Sequence, residues 1–156
     1  MCQAWAVACR TCQAVAREIS LTNAPRVDLD DYWLVEHCHP VSIAGWLVLV
    51  LRRHARALHE LTDVEAVTLG HWLPALTRAL HAATGCELEY VMQFAEAESH
   101  RHVHFHLIAR QPDWPEKLKG PSVWAAVGDA DPLPATETTR VMEAVAAYLD
   151  IALTTP

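Results

Sequence analysis

Four histidines stand at alternate positions, His100, His102, His104 and His106, the last three within the run His102-Val103-His104-Phe105-His106-Leu107-Ile108. Successive side chains of a β-strand point to opposite faces, so this period of two predicts a strand. Val103, Phe105 and Leu107 then face a core, and the imidazoles line a surface that can hold a ligand. Packing alone asks for no such row. A bland alternative is a solvent-facing polar strand in a chain with 10 His among 156 residues. A single zinc on the row is a second alternative, but a rise of roughly 3.3 Å per residue sets His102 and His106 about 13 Å apart, awkward for one tetrahedral site. The spacing suits several tasks along an extended substrate.

The surrounding pattern predicts the elements that hold this strand. Residues 32–38 and 44–52 read as strands with Pro40 in the turn between them, the second a nearly continuous apolar run of the kind found in a central strand. Thr62-Asp63-Val64-Glu65 has the form of a capping box. From there Leu69, Trp72, Leu73, Leu76 and Leu80 recur at helical spacing over residues 64–84, up to a stop at Gly85. Pro74 inside this helix should kink or divide it. Residues 87–95 and 102–110 form a second strand pair, joined by a loop at 96–101. Residues 1–24 are an N-terminal segment with a CxxC and a short helical stretch at 13–20. Residues 111–135, rich in Pro and Asp, read as a long loop, with Trp114 and Trp124 as core or lid residues, and 136–153 as a C-terminal amphipathic helix. Strand, strand, helix, strand, strand with short links predicts one α+β domain over residues 1–156, an antiparallel sheet of about five strands with helices to one side.

The histidine row resembles the signature of the histidine triad (HIT) superfamily, His-φ-His-φ-His-φ-φ with φ apolar, at every position from His102 to Ile108. Pro40-Val41-Ser42, the strand running to Arg52-Arg53-His54, and Leu58 through Thr62-Asp63 are similar to the strand pair and helix start of that family. The likeness extends over roughly residues 9–128. Gly120-Pro121-Ser122-Val123-Trp124 is similar to a stretch of one bacterial branch that resembles dinucleoside polyphosphate hydrolases. The resemblance implies a HIT-like fold and a nucleotide-binding hydrolase or nucleotidyl transferase. It makes His104 the nucleophile on the α-phosphorus, His106 and Ser99 groups that contact the phosphate, and His102 a further member of the catalytic row. It also implies a nucleotide as the small-molecule partner and a two-fold homodimer formed through the long helix and a sheet edge; Trp72 and the apolar faces of the helix at 64–84 suit that interface and equally a monomer core.

The chain departs from the family pattern at several points. Ala97-Glu98 precede Ser99 where Gly-Gln is common, and Val91 and Met92 occupy the place of an Asn. Trp46 replaces a His in the earlier strand, and Ala109 a Pro. The nucleophile position is kept. The changes bear on substrate identity and turnover, so a nucleotide-binding or sensing protein with little turnover is the alternative.

Cys9-Arg10-Thr11-Cys12 is a weak signal by itself, open to redox, metal and chance readings. Some family members bind structural zinc through an N-terminal CxxC, a His at the end of the second strand and the first triad His. The resemblance therefore implies a zinc site of Cys9, Cys12, His54 and His102, with His100 as an alternative fourth ligand. No parallel βαβ pattern of the thioredoxin kind surrounds the CxxC, which weakens the redox reading. His37, His39, His59, His71 and His81 read as surface or capping residues, with His39 near the site by virtue of Pro40.

A net charge of −7 argues against general nucleic-acid binding, which relies on a spread of Lys and Arg. The longest apolar run, residues 43–51, is under half of the roughly 20 residues needed to span a bilayer, so no membrane partner is expected. No basic region precedes the first apolar residues, and Arg10, Arg17 and Glu18 interrupt them, so no signal peptide is expected. Five Cys then fit a reducing, cytoplasmic setting.

Overall fold

The computed structural model describes residues 9–22, 24–128 and 131–154; the signal-peptide expectation for residues 1–8 lies outside them. In chain order the elements are α1 (Arg10–Val15), β1 (Arg26–Asp28), β2 (Trp33–His37), β3 (Trp46–Leu51), α2 (Asp63–Thr84), β4 (Leu88–Met92), β5 (His104–Arg110), α3 (Ala135–Leu149) and β6 (Leu153–Thr154). The strands form one sheet in the order β4-β5-β3-β2-β1-β6, every neighbouring pair antiparallel. This is the expected α+β architecture with six strands in place of about five. The two strands missed in the sequence, β1 and β6, are three and two residues long, too short to show a period.

The alternation of β3 and β5 decides which face meets the helices. Leu47, Leu49 and Leu51 of β3 and Phe105, Leu107 and Ala109 of β5 join Leu76, Ala79 and Leu80 of α2 and Val141, Met142 and Val145 of α3 in the main core. The opposite parity, Val48 and Val50 against His106 and His104 in register, faces away from that core. The far end of this second face is closed by the segment after β5, whose Val123 and Ala126 pack on Trp46, Ile108 and Val41. Residues 111–135 are therefore not a plain loop, since 3-10 turns at Glu116–Leu118 and Gly120–Ala126 build this cover.

Helix α2 begins as its sequence indicates. Thr62 accepts from the Glu65 amide, the Glu65 carboxylate accepts from the Thr62 amide at 2.8 Å, and Gly85 at φ 65 ends the helix. Pro74 does not divide it: α2 runs unbroken for 22 residues. Pro74 and Gly70, the residue whose carbonyl loses its partner, are both exposed, so water can replace the missing hydrogen bond. Three boundaries also differ from expectation. Helix α1 starts at Arg10 rather than 13, β5 starts at His104 rather than His102, and α3 ends at Leu149, where Asp150 adopts φ 56 and the chain turns into β6. Trp72 packs against the main core and donates to Asp30 at 2.6 Å.

Candidate active site and metal centre

At the His102 end of β5, three segments far apart in sequence deliver four metal donors to one point. Cys9 and Cys12 come from the start of α1, His54 from just beyond β3, and His102 from just ahead of β5. Cys12 Sγ lies 3.1 Å from His54 Nδ1 and 3.4 Å from His102 Nδ1, and Cys9 Sγ lies 3.7 Å from His102 Nδ1. All four donor atoms fall within 4.8 Å of one another. Ligands held at about 2.3 Å (S) and 2.0–2.1 Å (N) on a tetrahedron sit roughly 3.3–3.8 Å apart, so the set fits a structural zinc. His102 is fully buried and its Nε2–H donates to the Leu51 carbonyl at 2.5 Å, which turns the Nδ1 lone pair toward the sulfurs. Burial pushes the Cys12 thiol up to about 12, with the hydrogen bond and charge of Cys9 adding to it. A cation that binds thiolate offsets that penalty. His100 does not join this group: it receives or gives a hydrogen bond with Ser99 Oγ at 3.0 Å and lines the neighbouring cleft.

His104 and His106 lie on the same face of β5 and open into a cleft of about 1000 Å³. That volume is at the upper end of the range for small-molecule sites, roughly 300–1,000 Å³. Val48 and Val50 form its floor, and the exposed rings of Phe94 and Trp124 stand at its rim, 5.2 Å apart. Arg10, Glu36, His39 and His100 line it further along. The row is thus no solvent-facing polar strand: His106 is 6% exposed and His102 fully buried.

The protonation pattern of the two cleft imidazoles follows from their partners. His104 Nδ1 lies 2.6 Å from the His102 carbonyl, an acceptor only, so Nδ1 carries the proton and Nε2 the lone pair in the neutral ring. His106 Nδ1 lies 2.9 Å from the indole nitrogen of Trp46, a donor only, so Nδ1 is the acceptor and Nε2 carries the proton. Burial lowers the pKa of His104, against the hydrogen bond to His102 and with help from His100. Burial, then the proximity of His104, lowers His106 to about 3. Both rings are neutral at pH 7. One offers a lone pair and the other an N–H, with ring centroids 5.0 Å apart.

Ser99 is exposed and is absent from the cleft lining, its hydroxyl being turned to His100. His37, read as a surface histidine, is 1% exposed; its Nε2 accepts from the Gly45 amide at 3.2 Å and its Nδ1–H donates to the Cys38 carbonyl at 2.8 Å. Gly45 is required there: at φ 80 an added Cβ would come within 2.9 Å of Ala109 Cβ. Glu36 was missed altogether. Burial raises its carboxyl to about 7, against the pull of Arg26, placing a titratable acid in the cleft wall. Its only sequence signal was its place as a charged residue in a largely apolar strand, β2.

No family model matches the chain, and no curated protein matches it in sequence. Solved structures do match its fold. A hypothetical histidine triad nucleotide-binding protein from Sulfolobus tokodaii aligns at TM-score 0.69 and 12% identity, covering 91% of this chain and 92% of its own. A zinc-bound histidine triad family protein from Mycobacterium smegmatis aligns at TM-score 0.65 and 14% identity, covering 91% and 96%. A histidine triad protein from Sinorhizobium meliloti aligns at TM-score 0.56 and 25% identity, covering 77% and 87%.

Proposed function

We propose that this chain, which has the fold of the histidine triad proteins and carries their signature into β5, is a nucleotide hydrolase or nucleotidyl transferase with His104 as its nucleophile. Nε2 of His104 attacks the α-phosphorus of a nucleoside phosphoanhydride or phosphoramidate, forming a P–N bond as the bond to the leaving group breaks. The leaving group departs with the bonding pair and takes up a proton. Water or another acceptor then attacks the phosphorus, breaks the P–N bond and loses its proton, returning the lone pair to Nε2. The Nε2–H of His106 donates to a phosphate oxygen as charge builds.

The observation that carries this reading is the 2.6 Å contact from His104 Nδ1 to the His102 carbonyl, because it leaves the lone pair on Nε2, as a nucleophile at this position requires. A zinc ion on Cys9, Cys12, His54 and His102 would supply a fixed cross-link at the root of β5. His102 then supports its neighbour as a strand anchor and a carbonyl acceptor. Incubation with an adenosine phosphoramidate and with a dinucleoside polyphosphate, beside His104→Ala, tests the proposal. Release of nucleoside monophosphate by the wild type alone is expected, and equal rates for the two chains would overturn it.

Glu36 in the cleft wall, with Glu96 lining it and Glu98 exposed on the same loop, favours a second reading, a nucleotide-binding protein with little turnover. Retained nucleotide affinity with background rates on both substrates would select it. Pairing into a homodimer belongs to the same proposal, supported by the exposed Val64 and Val67 of α2 and Leu88 and Val91 of the edge strand β4. Sedimentation of the full chain reads it directly. A reducing, cytoplasmic setting is supported by the four free thiols among the described residues; no helix among these is long and apolar enough to cross a membrane.

A further inference from the structure

Outside the cleft and the first donor set, the end of α2 and the start of β4 bring together a second group of unlike donors. His81 Nδ1 lies 3.8 Å from Cys86 Sγ and 3.4 Å from Glu89 Oε1, and Cys86 Sγ lies 3.4 Å from the same carboxylate oxygen. The three atoms close a triangle. The two edges at Glu89, each 3.4 Å, fall within the roughly 3.3–3.6 Å that separate N, O and S ligands on one tetrahedral zinc, and the S to N edge, 3.8 Å, is slightly longer. The three donor atoms all lie within 4.8 Å of one another, so one ion can reach all of them. Gly85, at φ 65, turns the chain between His81 and Cys86 so that the spacing His-x4-Cys-x2-Glu folds back on itself.

We propose that His81, Cys86 and Glu89 hold a second zinc ion that staples the C-terminal end of α2 to the edge strand β4. A thiolate, a carboxylate and a neutral imidazole together carry two negative charges, which balance the dication. Cys86 is the inner ligand, 1% exposed. The His81 side chain, 60% exposed, marks the solvent side, where water completes the fourth position. Binding releases the Cys86 proton to bulk water. With three protein donors rather than four, this site holds zinc less tightly than the cluster of Cys9, Cys12, His54 and His102.

Metal content after equilibrium dialysis of the full chain against zinc ion tests the proposal. Wild type is expected to hold one ion more than His81→Ala and one more than Cys86→Ser, with circular dichroism confirming that the exposed-site His81→Ala chain keeps its fold. The difference is independent of the first donor set: were that set empty, wild type would hold one ion and His81→Ala none. Cobalt titration gives a second readout, since Cys86→Ser should lose a share of the near-ultraviolet thiolate-to-cobalt absorption while Cys9 and Cys12 keep theirs. Equal metal content in all three chains, or cobalt absorption unchanged by Cys86→Ser, would overturn the second site.

Discussion

His102 and His104 are two residues apart at the start of β5, yet one is a buried anchor and the other lines a cleft. What separates them is the partner of the second ring nitrogen. His102 gives its Nε2–H to Leu51 and turns Nδ1 to the sulfurs, whereas His104 gives its Nδ1–H to the His102 carbonyl and keeps the Nε2 lone pair. His106 completes the contrast by receiving from Trp46 on Nδ1, so that it can only donate from Nε2. A strand can repeat one residue type and still obtain three chemistries, provided the backbone and one indole choose the tautomers.

Loss of His104, the proposed nucleophile, has the largest expected effect. His104→Ala should lower turnover by about 10⁴-fold or more while zinc content stays the same, as steady-state rates and metal analysis will read. At the other end of the strand the loss should be structural. Cys9→Ser with Cys12→Ser should remove the zinc of the first site and about 3 kcal/mol of stability, a drop in Tm of roughly 10 °C. A chelator should reproduce that drop in wild type and add little in the variant.

Titration sharpens the distinction between the cleft imidazoles and a solvated histidine. The folded pKa of His106, about 3, lies below its unfolded value of 6.5, so the unfolded chain binds the extra proton first. Its contribution to stability is full above 6.5 and declines as the pH falls toward 3, by roughly 2 kcal/mol between pH 8 and pH 5. Denaturant melts across that range should show a shallower slope in His106→Gln; an identical slope would mean that His106 titrates alike in the folded and unfolded chains. A smaller effect is expected from Trp46→Phe, which keeps a ring in the pocket and frees His106 Nδ1. Turnover should fall about tenfold with metal content unchanged, and the ¹⁵N shifts of His106 should report a mixed tautomer. Ser99→Ala should matter least, under about threefold in turnover, because the hydroxyl faces His100 rather than the cleft.

Much of the scaffold was legible because its signals are local. The period of two marked β5, and Thr62 with Glu65 marked the start of α2, each through contacts within a few residues. The donor set of Cys9, Cys12, His54 and His102 was legible only through family likeness, since nothing in their spacing of up to 93 residues says that they meet. Trp46 was noticed as a departure from the family pattern, but its service to His106 depends on the pairing of β3 with β5, a long-range register. His37 was misread for the same reason. A polar residue in an apolar strand looks solvated until the amide that satisfies it, here that of Gly45, is found in the turn just ahead of the neighbouring strand.

The position of β5 inside the sheet, paired on both sides with β3 and β4, has one more consequence. A strand bonded along both flanks cannot swing to admit or release a ligand, so accommodation falls to the segments that carry Phe94 and Trp124, neither of which lies in a strand. Under the proposed function, chemistry and selectivity rest on parts of different stiffness. Substitutions at the rim can retune which molecule is accepted while the reacting nitrogens stay where the ladder holds them.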